Sequence, residues 1–257
     1  MDNKKTFKIG WLFPDTLYLH GDRGNILAIE KMAKMSGYDV EITTIDFDTV
    51  DFCPTDYDFL FCSPGEIASF PSIIEYLKTY LVGLKAYIQA DKPLLVTGTS
   101  TAFWGKEILR TDGTKIKGLE IIDITSKENE AVYGDDLYFS CQLDGKPMEI
   151  IGNQIQMIDI EIGQEDAFGK LFYGYGNSGK DTNEGVQVKN AVFTNTLAPI
   201  LVCNPWLTKA FVDVMLKNNE LLSDTFNPEM TLEQKSFDSK KQFIHDKETH
   251  LTNCPKF

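Results

Sequence analysis

The run Pro93-Leu94-Leu95-Val96-Thr97-Gly98-Thr99-Ser100, continuing through Ala102, Phe103 and Trp104 to Gly105, constrains this chain more than any other stretch. An apolar strand bounded by proline passes into a small polar turn and then into a helix start. This is the elbow on which many α/β enzymes mount a nucleophile. Gly105 is expected to let the following helix pack closely. The turn itself holds glycine, threonine and serine, so it reads either as an active site with a hydroxyl nucleophile or as the seat of a lost one.

The elbow sits in an alternating pattern. Phe7 to Phe13 reads as a first strand, and Asp22 or Asn25 is placed to cap a helix through Ile26, Leu27, Ile29, Met32 and Ala33. Gly37 stands at its C′ position. Val40 to Ile45 and Phe59 to Cys62 read as strands. One long helix is predicted through Ile73, Ile74, Leu77, Leu81, Leu84 and Ile88. Strands alternating with helices predict a mostly parallel α/β sheet covered on both faces. Its carboxyl edge, where such sheets bind ligands, would gather residues 14–23, 63–70 and 97–101. Spacing alone reads these as ordinary connections.

From about Gly118 the texture becomes antiparallel, with strands expected at 137–141, 149–151, 156–162, 171–175, 185–188 and 191–194 packed on the same sheet. Asn204-Pro205 opens a further helix with cap and first-turn proline in their favoured places. Residues 1–219 are read as one domain. Residues 220–257 are read as a polar tail with room for one helix, either disordered or docked on a partner.

A formal charge of −13 with no basic patch excludes nucleic acid as an expected partner. No stretch approaches the roughly 18 apolar residues of a membrane span, and the polar N-terminus has no signal-peptide core, so a cytoplasmic setting is expected. The five cysteines form no C-x-x-C pair, and the histidines are His20, His245 and His250. The central fold therefore has no imidazole for general-base work. No metal and no cofactor is expected.

Two long blocks then carry a resemblance. Leu17-Tyr18-Leu19-His20-Gly21-Asp22-Arg23-Gly24-Asn25-Ile26-Leu27-Ala28 is one, and residues 169–177 with Glu184-Gly185-Val186 and Lys189 to Phe193 are the other. Over roughly residues 7–217 the chain resembles the CobB/CobQ-like class I glutamine amidotransferases, more narrowly the GatD-type glutaminase subunits of lipid II isoglutaminyl synthases. The resemblance implies a flavodoxin-like, mostly parallel sheet with helices on both faces and an antiparallel-rich C-terminal half. It also implies glutamine hydrolysis by a cysteine, a histidine base and a glycine-rich oxyanion loop, with the ammonia delivered to a Mur ligase-like partner.

The residues depart from that chemistry together. Aligned through Pro93 and Gly105, the cysteine position is Gly98, and aligned through Pro199, the histidine position is Leu197. The oxyanion loop becomes Cys62-Ser63-Pro64-Gly65-Glu66, whose proline lacks an amide donor. A histidine- and arginine-bearing stretch becomes Asn153-Gln154-Ile155-Gln156-Met157. Glycine has no side chain to form a thioester, and residues that act as a unit fail as a unit. The expectation is a degenerate, non-catalytic member.

Thr99, Ser100 and Cys62 are weak replacement nucleophiles, with Glu66 the nearest candidate base. Asp22, Arg23, Asn25, Gly65, Glu66 and Asn153 are expected to shape the cleft or a docking face, although Asp22 as a cap and Arg23 in a surface ion pair would serve structure alone. Three readings follow: a silent subunit of a Mur ligase-like heterodimer, a divergent hydrolase or amidotransferase using elbow hydroxyls, and a small-ligand binding module.

Overall fold

The computed structural model describes residues 6–221 and 226–250, the last three by backbone alone. The first half runs β1 (Thr6–Leu12), α1 (Gly24–Met35), β2 (Asp39–Ile45), β3 (Phe59–Cys62), α2 (Phe70–Lys78), α3 (Leu81–Gln89), β4 (Leu94–Thr97) and α4 (Thr101–Trp104). Next come β5 (Glu107–Leu109), β6 (Lys115–Lys117), β7 (Ile124–Tyr133), β8 (Asp136–Leu143), β9 (Lys146–Asn153) and β10 (Gln156–Ile162). The chain continues with β11 (Gly169–Tyr173), β12 (Asn183–Glu184), β13 (Val186–Val188), β14 (Ala191–Thr194), α5 (Ile200–Cys203), α6 (Pro205–Asn218) and α7 (Thr231–His250).

All four side chains of β3 and all four of β4 are buried. Side chains alternate across a strand, so these short apolar runs must feed two cores. Leu60, Leu94 and Val96 meet Ile73, Leu77 and Leu84 of α2 and α3. Phe59, Phe61 and Leu95 meet Ile29 of α1 and Phe211 and Met215 of α6 on the other face. The main sheet has the order β2-β1-β3-β4-β14-β13, parallel except for β13. This is the doubly wound, flavodoxin-like arrangement expected from the sequence. Register aligns the strand ends: Leu12 lies beside Cys62, Cys62 beside Val96, and Thr97 beside Thr194. The loops that follow them therefore open at one edge.

Several expectations need correction. The antiparallel-rich half packs on the main sheet as expected, Phe139 and Ile150 sharing a core with Phe59 and Phe61, but it is divided into two separate four-stranded sheets, β10-β7-β5-β6 and β12-β11-β8-β9, while β13 and β14 join the main sheet itself. The ten-residue β7 escaped sequence reading because Thr-Ser-Lys-Glu-Asn-Glu has little apolar alternation. The long helix is broken between α2 and α3. The Thr79 hydroxyl bonds back to the Tyr76 carbonyl, a contact that bends helices, while the Tyr76 and Tyr80 hydroxyls both hold the Thr49 carbonyl. Gly105 terminates the four-residue α4 rather than lying within a helix, and a Cβ there would sit 2.4 Å from Ile124 Cγ1. Asn204 does not cap α6 with its side chain. Its amide instead brackets Ile151 of β9, accepting from the backbone N–H at 2.9 Å and donating to the carbonyl at 2.7 Å.

The polar C-terminal stretch contains the 20-residue α7, which packs on β8 and β9 of its own chain. Among the described residues no helix is long and apolar enough to cross a membrane.

Phe211 is fully buried, with its ring centroid 5.4 Å from that of Phe59. Phe211→Ala is expected to lower unfolding free energy by about 3–5 kcal/mol, measured by urea denaturation.

Candidate functional site

The elbow forms where the sequence placed it. Gly98 has φ of +58°, in the left-handed region that glycine enters without a Cβ penalty. The strand β4 thereby turns into a short 3-10 turn and α4. The space in front of Gly98 is occupied. A Cβ built there would lie 2.8 Å from Pro64 Cβ and 3.2 Å from Leu197 Cδ2. Pro64 and Leu197, aligned by resemblance with the oxyanion loop and the base, thus fill the space in front of Gly98, aligned with the nucleophile, as an apolar plug.

The hydroxyls around the plug are committed to the neighbouring loop. Thr99 Oγ1 donates to the Gly65 carbonyl at 2.6 Å and accepts from the Gly65 N–H at 3.1 Å. Ser100 Oγ donates to the Ser63 carbonyl at 2.6 Å. The Leu19 N–H reaches the Pro64 carbonyl at 3.1 Å, and Leu17 lies over Gly65. The three loops predicted to converge do so. The remaining cavity, lined in part by Gly98, Thr99, Ile155, Gln156 and Asn195, has a volume of about 10 Å³. That is about the room one water needs.

Two buried groups lie beneath the elbow. Cys62 is fully buried, and desolvation pushes its thiol up to about 12, so it stays protonated and inert. Asp22 is also fully buried and does not cap α1. Its Oδ2 accepts from the Thr97 hydroxyl across 75 residues of sequence, and the Asn25 side chain is a second neighbour of the carboxyl. Burial raises its carboxyl from 3.8 to about 7, against the lowering effect of the Thr97 hydrogen bond.

The other expected residues divide by position. Asn25 is buried and its Oδ1 serves α5, accepting from the Leu201 N–H at 2.8 Å. Gly65 is buried, whereas Arg23 and Glu66 face solvent, and Arg23 has no ion pair among the described residues. Asn153 approaches the plug through its backbone: the Leu197 N–H donates to its carbonyl at 2.8 Å. Its side chain donates to Asp136 at 2.9 Å. Burial lowers the pKa of His20, which makes no hydrogen bond to an elbow hydroxyl among the described residues.

Two features were missed in the sequence. Glu184, fully buried, accepts from the hydroxyls of Thr194 at 2.5 Å and Thr196 at 2.8 Å and from the Asn195 N–H at 3.0 Å, fixing the segment that delivers Leu197. Its place in the Glu-Gly-Val block was the available signal. Ala198, directly after Leu197, has φ of +101°, a strained backbone for a residue with a Cβ.

The sheet order and the sequence relationship together define a class I glutamine amidotransferase-like fold related distantly to GatD-type subunits. No family model matches the chain. It is 28% identical over 196 residues to subunit GatD of the glutamine-hydrolysing lipid II isoglutaminyl synthase of Staphylococcus aureus, covering 76% of this chain and 78% of the relative. The corresponding Streptococcus pneumoniae subunit is 25% identical over 211 residues, covering 81% and 80%. Among solved structures, a glutamine amidotransferase of Thermotoga maritima aligns at 9% identity with a TM-score of 0.46, over 84% of this chain and 86% of that one. One from Methylobacillus flagellatus aligns at 8% identity with a TM-score of 0.48, over 88% and 100%.

Because the folded-state pKa of Asp22 lies above its ordinary value, its stabilising contribution is complete below about pH 4 and is lost as pH rises through 7. Asp22→Asn is expected to shrink the stability difference between pH 5 and pH 8 by roughly 2–3 kcal/mol in denaturant titrations at both pH values. Ala198→Gly is expected to raise the melting temperature, since relief of a strained φ, worth about 1 kcal/mol or more, exceeds the added chain entropy.

Proposed function

We propose that this chain is a non-catalytic, GatD-like glutamine amidotransferase subunit that works through a Mur ligase-like partner in amidating or otherwise modifying a peptidoglycan-type precursor. The observation that carries this reading is the filled elbow, where Gly98 lacks a side chain and Pro64 and Leu197 take the volume in front of it. Glutamine hydrolysis needs a nucleophile, a base to activate it and donors aimed at the developing oxyanion. At these positions there is no nucleophile atom, Leu197 cannot accept a proton, and Pro64 carries no N–H. The Gly65 N–H is already bonded to Thr99. The peptidoglycan connection rests on the relatives, whose names describe subunits of a synthase acting on lipid II.

Neither competing reading gains support. Thr99 and Ser100 donate to backbone carbonyls, and among the described residues neither hydroxyl is hydrogen-bonded to an imidazole or a carboxylate. A binding module for an amino acid or nucleotide at this cleft finds only about 10 Å³.

The test has two arms. Ammonia release from glutamine is expected to stay at background for the wild type, Thr99→Ala and Ser100→Ala, with and without a Mur ligase-like protein from the same genome. Co-purification with that protein, and a change in its ligase rate, is expected. Release above background that falls in either variant would establish the divergent-hydrolase reading instead. Recovery as a lone monomer without effect on the ligase would end the subunit reading.

A further inference from the structure

The helix α7 is polar over most of its 20 residues, and Phe237 and Ile244 are its only side chains buried below a tenth exposed among those described. They are seven residues apart and so share one face. Lysines 240, 241 and 247 lie on that same side, and each meets a carboxylate on β8, on β9 or in the connection just before β8. Lys240 pairs with Asp136, Lys241 with Glu149 at 2.7 Å, and Lys247 with Asp135. Aromatic rings complete the seat. Phe237 packs edge-on against Trp206 at 5.0 Å, Lys241 lies 5.0 Å over Tyr138, and Lys247 lies 5.4 Å over Tyr173. Such a helix would have little stability alone, so it depends on this ionic and aromatic seat.

One of these ion pairs leads to the elbow. Asp136, 7% exposed, is shared: its Oδ1 accepts from Lys240 and from the Asn153 side chain, and its Oδ2 lies 3.4 Å from Lys247 Nζ. The Asn153 backbone exchanges hydrogen bonds with that of Leu197, at 2.8 and 3.4 Å. Leu197 fills the space before Gly98, and the strained Ala198 follows it. Undocking α7 strips Asp136 of both cations and opens it to water, which competes with Asn153 for its carboxylate. Movement of Asp136 toward water would take with it the anchor of Asn153. Strain at Ala198 then favours release of the Leu197 segment.

We propose that α7 is an ionic latch: docked in cis on β8 and β9, it holds Leu197 in the elbow through Asp136 and Asn153, and its release loosens the plug. This goes beyond the proposed function and holds whether or not a ligase partner exists.

Hydrogen exchange of the full-length protein tests it, comparing wild type with Lys240→Ala/Lys247→Ala and with Lys235→Ala on the exposed face of α7. The double variant is expected to exchange amides of α7 and the Leu197 amide at least about tenfold faster, with β3 and β4 unchanged and Lys235→Ala like wild type. Unchanged protection of α7 in the double variant would overturn the latch. Release of α7 with an unchanged Leu197 amide would overturn the coupling. Should β3 and β4 also lose protection, wild type moved from about 0.05 M to about 0.5 M NaCl decides, because screening shortens to a few Å and weakens the pairs without substitution. Joint acceleration of α7 and Leu197 there supports the latch, and its absence overturns it.

Discussion

Everything at the carboxyl edge of the main sheet hangs on the left-handed turn at Gly98. It lets β4 end at Thr97 and the chain reverse at once into α4, so Pro64 and Leu197 can approach to contact distance. Any side chain at 98 would meet both. The surrounding hydrogen bonds follow from that contact. Thr99 takes both backbone groups of Gly65, Ser100 takes the carbonyl of Ser63, and Glu184 fixes the segment before Leu197.

The buried polar groups around this turn are handled unequally. Asp22 receives one hydroxyl donor, too little to offset desolvation, and its carboxyl is held near 7. Glu184 receives several donors on one oxygen, yet full burial still raises its pKa, and Oε2 has no partner among the described residues. Both carboxylates resist ionisation, so each contributes its full stabilisation only below the ordinary carboxylate range and loses it as pH rises. Asp136, by contrast, is shared between two lysines and an amide and serves as a junction between α7 and the plug.

Much of the fold was legible. Phe59 to Cys62 and Ala191 to Thr194 form strands with the bounds read from their apolar runs, because a fully buried strand has few other ways to hide its side chains, and the alternating Gln156 to Ile162 forms a half-buried one. The failures have local causes. The polar β7 lacked alternation, and the Thr79 back-bond that splits the predicted helix leaves no mark in an apolar period. Asn25 and Asn204 have cap-forming side chains, yet each serves a distant backbone, at Leu201 and Ile151. Capping propensity records what a side chain does locally, and a stronger tertiary partner overrides it.

The sequence by itself determined the alternating α/β order, the elbow at 97–101 and the absence of cysteine and histidine side chains at Gly98 and Leu197. These depend on residue identity and near-neighbour spacing. Only the tertiary structure decided that Pro64 and Leu197 fill the space in front of Gly98, that Thr97 pairs with Asp22, and that Asp136 binds both Lys240 of α7 and Asn153. Those contacts join positions dozens of residues apart, and their distances are set by strand register and core packing, which no local window of sequence encodes.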